Sequence, residues 1–183
     1  MQGWWAASYV MLWFLVIALC VIVVALARQV GTLHLRLGPR GALEMDDEGP
    51  PLGEAPMPLE ARDETGRTVR IGGPGPGQLL LFVSPNCMVC DQVLPAVRAV
   101  AAATDLSPYV LTDAAADDVR TLVDKKPGAP IVASPEAARA YEVPGTPYAV
   151  VLDELGVVRA KGTVNNLEQV EGLVDTAQRR RAV

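Results

Sequence analysis

The apolar positions fall into two regimes. From Trp4 to Ala27 no residue is charged, and Val, Leu, Ile, Ala and aromatic residues follow one another without a polar face. About 20 such residues cross a bilayer core of about 30 Å, so the run predicts one membrane-spanning helix with some tilt. Trp4, Trp5 and Tyr9 gather toward one end, as an interfacial aromatic belt does. A cleaved leader is the competing reading, with Ala25-Leu26-Ala27 as its cleavage site. A leader's apolar region is only roughly 7 to 15 residues long and follows basic residues, and no Lys or Arg precedes this run. Segment 1–30 is therefore read as a permanent anchor, contacting membrane through residues 4–27.

Beyond it the apolar periods stop. Residues 31–57 are dense in Pro and Gly and carry the acidic cluster Glu44, Asp46, Asp47 and Glu48. Neither a helical nor a strand period survives there, which predicts a semi-extended solvated linker. Periodicity returns in 58–183, a length sufficient for its own hydrophobic core. Leu59 to Ala61 and Thr68 to Ile71 flank the turn Asp63-Glu64-Thr65-Gly66, giving a short hairpin. Leu79 to Val83 is a continuous apolar run, as in a strand buried on both faces. Cys90, Val93, Leu94, Val97, Val100 and Ala101 follow a helical period. Tyr109 to Leu111 predicts a second central strand, Ala115 to Val123 a helix, and Ile131-Val132 a short strand. Pro135 to Tyr141 predicts a short helix capped by Ser134. Tyr148 to Leu152 and Val157 to Ala160 form strands around Asp153-Glu154-Leu155-Gly156. A final helix begins near Asn165 or Asn166, either of which suits the N-cap. Strands alternating with helices, then a hairpin and a closing helix, predict an α/β fold: a mixed central sheet flanked by helices.

Composition narrows the chemistry. The chain has 183 residues, 16 Lys and Arg against 21 Asp and Glu, and a net charge of -5. That balance argues against nucleic acid as a partner, because phosphate binding needs a basic face. Three cysteines are too few for a disulfide scaffold. The one histidine, His34, removes most His-based metal sites and triads.

The remaining chemistry concentrates in Cys87-Met88-Val89-Cys90, between the buried strand and a helix. The first turn of a helix offers unpaired N–H groups and a positive dipole end. A thiolate there is stabilised and its pKa falls below the free-cysteine value. Cys87 becomes the nucleophile, and Cys90, one turn inward, resolves the mixed disulfide. A zinc site needs about four ligands and this motif supplies two. A copper carrier would need wider cysteine spacing and a histidine in the domain. An inert structural disulfide, or two buried thiols, is the other alternative. Pro95, inside the helix five residues after Cys90, removes a hydrogen bond there. Gly145-Thr146-Pro147, before a strand, is a candidate cis X-Pro turn.

The strand, the CxxC motif, the helix with Pro95, and Thr146-Pro147 before a hairpin together resemble the thioredoxin fold. That resemblance implies a cis Pro147 packed on the disulfide and shaping the site. It implies that Thr146 offers its backbone to an extended client segment, and that Met88 lies exposed against client surface. The hairpin from Leu59 to Ile71 resembles the membrane-tethered and peroxiredoxin-like branch. Ala25 to Gly31, Gly38 to Leu43, Phe82 to Cys87, Pro147 to Val150 and Arg159 to Gly162 resemble the MauD family of methylamine-utilisation accessory proteins, over nearly the whole chain. This resemblance implies a thiol–disulfide oxidoreductase with no cofactor beyond the Cys87–Cys90 disulfide and no metal. Its implied client is the disulfide-rich small subunit of methylamine dehydrogenase, with a further, unidentified redox partner. The implied place is the inner membrane, single-pass, with the domain in the periplasm. The positive-inside count alone, from Arg28, Arg36 and Arg40, points the domain to the cytoplasm. Disulfide work belongs in an oxidising compartment, so the family reading is taken.

Departures from thioredoxin are specific. Asn86 stands where Trp is usual, Met88-Val89 where Gly-Pro is usual, and Leu79 to Val83 hold no buried acid. Redox direction therefore stays open between disulfide formation or isomerisation and reduction of the cytochrome c maturation type. A module that holds its client and uses the cysteines only structurally is a further alternative. Cys20, His34 and Arg179-Arg180-Arg181 read as incidental: a span residue, a juxtamembrane residue and a solvated tail. Tyr148 reads as core.

Overall fold

The computed structural model describes residues 2–36, 48–114 and 116–181, which fall into two compact units. The first unit is the helix α1 (Gln2–Arg36), whose segment Gly3–Ala25 is long and apolar enough to cross a membrane. Its side chains from Tyr9 to Val24 are exposed, as expected of a helix with no polar face. Linker residues 37–47, with Arg40, Glu44, Asp46 and Asp47, lie outside the described residues.

The second unit is built on five strands in the order β5-β4-β3-β6-β7. The centre is β3 (Gln78–Phe82), every residue of which is buried. It runs parallel to β4 (Ser107–Thr112), which pairs in parallel with β5 (Ile131–Ala133). On its other side β3 is antiparallel to β6 (Tyr148–Leu152), which pairs antiparallel with β7 (Val158–Thr163). Alternate side chains of β3 feed two cores, which is why its apolar run is unbroken. Leu79 and Leu81 pack with α2 (Met88–Ala103), α3 (Ala116–Asp124) and α5 (Leu167–Arg181). Leu80 and Phe82 pack on the opposite face with Tyr141, Tyr148 and Val150, under α4 (Pro135–Ala140) and the hairpin β1 (Leu59–Arg62)–β2 (Thr68–Ile71). The fold is a mixed sheet between helices, as the periodicity predicts, and is thioredoxin-like, as the resemblance implies.

Both hairpins close on the same device. Asp63 Oδ1 accepts from the amides of Thr65 and Arg67, and its Oδ2 from the Arg67 guanidinium at 3.0 Å. Asp153 Oδ1 accepts from the amides of Leu155 and Val157, and its Oδ2 from Arg159 at 2.7 Å. In each turn the glycine three residues after the aspartate takes a left-handed φ, +85° at Gly66 and +79° at Gly156. At Asp63 the Thr65 hydroxyl, with the Arg67 and Thr65 amides, holds the carboxyl below its ordinary value. At Asp153 burial pushes upward, but the hydrogen bonds from Val157, Arg159 and Leu155 outweigh it and the net shift is downward.

Three stretches depart from the sequence reading. Residues 31–36, read as linker, continue the helix α1 to Arg36. Glu48 to Glu54, read as free spacer, lie along the open edge of β7. The Gly53 amide donates to the Val158 carbonyl at 2.9 Å, and the Val158 amide to Glu54 at 2.8 Å. Lys161, buried on β7, donates to the Glu48 carbonyl at 2.7 Å, and the Tyr148 hydroxyl donates to the same oxygen at 3.1 Å. Arg179 to Arg181 are exposed, as a solvated tail would be, but form the last turn of α5: Arg179 pairs with Asp175 and Arg181 with Glu154. Asn166 is the residue that caps α5, its Oδ1 accepting from the Gln169 amide at 2.9 Å.

Candidate functional site

The site sits where β3 leaves the sheet. The Val83 amide still bonds the Leu111 carbonyl, and then Ser84-Pro85-Asn86 turns the chain. Pro85 has no N–H to continue the ladder, so strand pairing ends there. The Cys87 amide donates to the Ser84 carbonyl at 3.2 Å, which closes the turn. Cys87 then serves as N-cap of α2 in extended geometry (φ -91°, ψ 105°), a place usually held by Ser or Asp. Its sulfur accepts the Cys90 amide at 3.1 Å, so one orphan donor of the first turn is aimed at the sulfur. Cys87 and Cys90 are joined by a disulfide, with Cα atoms 5.2 Å apart.

The two sulfurs differ in access. Cys90 is fully buried in the core under α2, whereas Cys87 is half-buried at the surface. An incoming thiolate therefore reaches Cys87. Met88 is 84% exposed beside it, and Val89 is 40% exposed. Together they present an apolar lip to whatever approaches. Pro95 lies in the interior of α2 on its exposed side, where its missing N–H frees the Asp91 carbonyl.

The Thr146–Pro147 peptide bond is cis. Pro147 is buried and Thr146 exposed, and the Thr146 carbonyl oxygen lies 3.9 Å from the Cys87 sulfur. In the disulfide that sulfur has no proton to give. On reduction the thiol gains an acceptor in the same carbonyl. The Thr146 amide has no partner among the described residues and is available to an extended peptide. A cleft of 360 Å³ opens beside Thr146, with Ser84, Thr112, Asp113, Val143 and Pro144 among its walls.

The structure thus gathers these residues at one site, with Cys87, Met88 and Thr146 at the surface and Cys90 and Pro147 buried behind them. Three neighbours, Lys125, Asp91 and Asp113, are not marked as site residues by the sequence. Lys125, just past α3, donates to the Pro85 carbonyl at 3.0 Å and to Asp91 Oδ1 at 2.6 Å. Asp113, at the end of β4, lines the cleft. Asp91 carries a weak local signal, an acid in the first turn of a helix. Lys125 carries none, since its contacts are 34 and 40 residues away. Tyr148 is core, as expected, with its hydroxyl tied to Glu48. Among the described residues no group of three or more His, Cys, Asp or Glu is placed to hold a metal ion.

No family model matches the chain. Curated relatives do. The chain is 37% identical over 180 residues to the methylamine utilization protein MauD of Paracoccus denitrificans, covering 96% of this chain and 90% of that one. It is 38% identical over 174 residues to the MauD protein of Methylorubrum extorquens, covering 92% and 84%. Among solved structures, the thio-disulfide isomerase of Thermus thermophilus superposes with a TM-score of 0.56 at 22% identity, over 69% of this chain and 96% of that one. The thioredoxin domain of a thiol-disulfide oxidoreductase from Bacteroides vulgatus gives 0.57 at 16%, over 69% and 97%. The structural likeness establishes the thioredoxin-like fold. The sequence identity, sustained over almost the full length of both chains, establishes that this chain belongs to the MauD family of methylamine utilization proteins.

Proposed function

We propose that the protein is a membrane-anchored thiol–disulfide oxidoreductase that forms or isomerises disulfides in the small subunit of methylamine dehydrogenase during its maturation. The observation that carries this reading is the disulfide's asymmetry: a reachable Cys87 at a helix N-terminus, a sealed Cys90, and a cis Thr146–Pro147 bond beside them.

The electron balance is simple. A client thiolate attacks the Cys87 sulfur, the Cys87–Cys90 bond breaks, and Cys90 leaves as a thiolate that takes up a proton. A second client thiolate attacks the client sulfur of the mixed disulfide. The client disulfide forms and Cys87 departs as a thiolate, received by the Cys90 amide. The client loses two electrons and the domain gains them; a separate redox partner removes them. For isomerisation, reduced Cys87 attacks a client disulfide and is released when the client re-pairs. Thr146 docks the client strand through its backbone, Pro147 shapes the loop, and Met88 rests on the client's apolar surface. The apolar helix α1 anchors the protein in the inner membrane, and the domain works in the periplasm, where disulfides persist.

The reduction potential of the full chain in detergent, equilibrated in glutathione buffers, tests the direction of this chemistry. Thiol alkylation is the readout, because all three Trp residues lie in α1 and none in the domain. A potential of about -120 to -180 mV accords with disulfide donation or isomerisation, and one near about -270 mV contradicts it in favour of a reductase.

A further inference from the structure

We propose that Lys125 is a positioning residue for the attacking thiolate: one ammonium bridges both sides of the Cys87 turn and offsets the charge of Asp91. The inference rests on the reading of Cys87 as the reactive sulfur.

The geometry is specific. The Lys125 ammonium meets the Pro85 carbonyl, two residues before Cys87, and the Asp91 carboxylate, four residues after it. Positions four apart on a helix are neighbours, roughly 5–6 Å between Cβ atoms. Asp91 therefore stands within a turn of the sulfur that must carry negative charge. An acid in the first turn suits the helix dipole, but it opposes a thiolate at the N-cap. Lys125 answers that conflict, and it does so from a different element. It lies directly past α3, which ends as Lys126 takes a left-handed φ of +48° before Pro127. That conformation is costly for a non-glycine residue, and the position before proline normally avoids it. The Lys125 side chain is 26% exposed and Asp91 47%, so the pair is partly wet. Its worth lies in the charge it puts beside Cys87 more than in stability. A further charged group near the site is Asp113, which lines the cleft shared with Ser84 and Thr146; the loop Pro144 to Pro147 carries no charged residue.

The test is the pH profile of Cys87 alkylation in the reduced full chain in detergent. Peptide mass spectrometry counts Cys87 separately from Cys90 and Cys20. Lys125→Met leaves Asp91 uncompensated and moves the midpoint up by about half a pH unit, the size expected of one unit charge a helical turn away in a wet setting. Asp91→Asn moves it down by a similar amount. The double variant returns close to the parent, and Lys125→Arg, which keeps the charge, stays there. A purely structural role for Lys125 would not give opposite signs that cancel. Midpoints that stay fixed, or that move the same way in Lys125→Met and Asp91→Asn, overturn the proposal while leaving Cys87 as the nucleophile. A Cys87 that is unreactive throughout the neutral range in the parent chain overturns both readings.

Discussion

Replacing Asp153 by Ala removes the carboxylate that organises the turn between β6 and β7, the hairpin whose first strand follows the cis Thr146–Pro147 bond. Its side chain is almost fully buried and accepts three hydrogen bonds: from Leu155 and Val157 amides at 2.9 Å and from Arg159 at 2.7 Å. A bond to a charged group contributes about 1.5–3 kcal/mol, and a neutral one about 1 kcal/mol. The three are not additive, and the Leu155 amide can turn to water, so a loss of about 3 kcal/mol is expected. For a domain of this size that is a fall in Tm of about 10 °C. Asp153→Asn keeps an oxygen for the two amides but sets its NH2 against the Arg159 guanidinium and loses that bond, so it costs about 1.5–2 kcal/mol. The assay is thermal unfolding of the full chain in detergent, followed by far-UV circular dichroism. The pH dependence has a definite sign. The folded-state carboxyl lies below its ordinary value of 3.8, so its extra stabilisation is complete above about pH 4–5. It is lost as pH falls through the lowered value. The gap between parent and Asp153→Asn should therefore narrow as pH falls below about 4 and through the lowered value. Equal Tm values for the Ala and Asn variants, or a gap that widens in acid, would refute this account of the turn.

Two further outcomes follow from burial alone. The Tyr141 hydroxyl is buried without a hydrogen-bond partner among the described residues, and burial pushes its pKa up to about 12. Tyr141→Phe removes an uncompensated polar group, so it should hold or raise the stability by up to about 1 kcal/mol in the same thermal assay. Met88→Asp changes an exposed residue and should leave the stability within about 0.5 kcal/mol, yet place a charge on the apolar lip of the site. Under the proposed function, capture of the client through Cys87 should then fall several-fold.

What could be read from the chain was what depends on neighbours in sequence. The apolar run of β3, the period of α2, the Ser134 cap of α4 and the Asp-x-x-Gly turns are local patterns, and each recurs in the structure close to where it was expected. Cys87 and Cys90 stand out in the sequence because a CxxC at a strand–helix junction has few chemical uses, and Thr146–Pro147 joins them through the resemblance to the thioredoxin fold. Contacts that cross the fold left no such mark. Lys125 reaches its partners over 34 and 40 residues, and nothing in the composition of α3 says that its end lies beside the disulfide. Glu48 to Glu54 were read as spacer because Pro and Gly erase any side-chain period. Their docking uses backbone amides and carbonyls on the edge of β7, which no side-chain pattern reports. The same edge explains Lys161, a buried charge in a strand whose sequence gives no hint that a carbonyl of the incoming chain will receive it.

The central claim is that Cys87 exchanges disulfides with the methylamine dehydrogenase small subunit. The most direct measurement is a trap in cells that make both proteins: Cys90→Ser removes the resolving sulfur, and non-reducing electrophoresis with mass spectrometry identifies what stays bound. The account predicts a reducible adduct joining Cys87 to the small subunit, absent when Cys87 is also replaced by Ser. An adduct dominated by another client, or none although the variant is folded and membrane-bound, would contradict it.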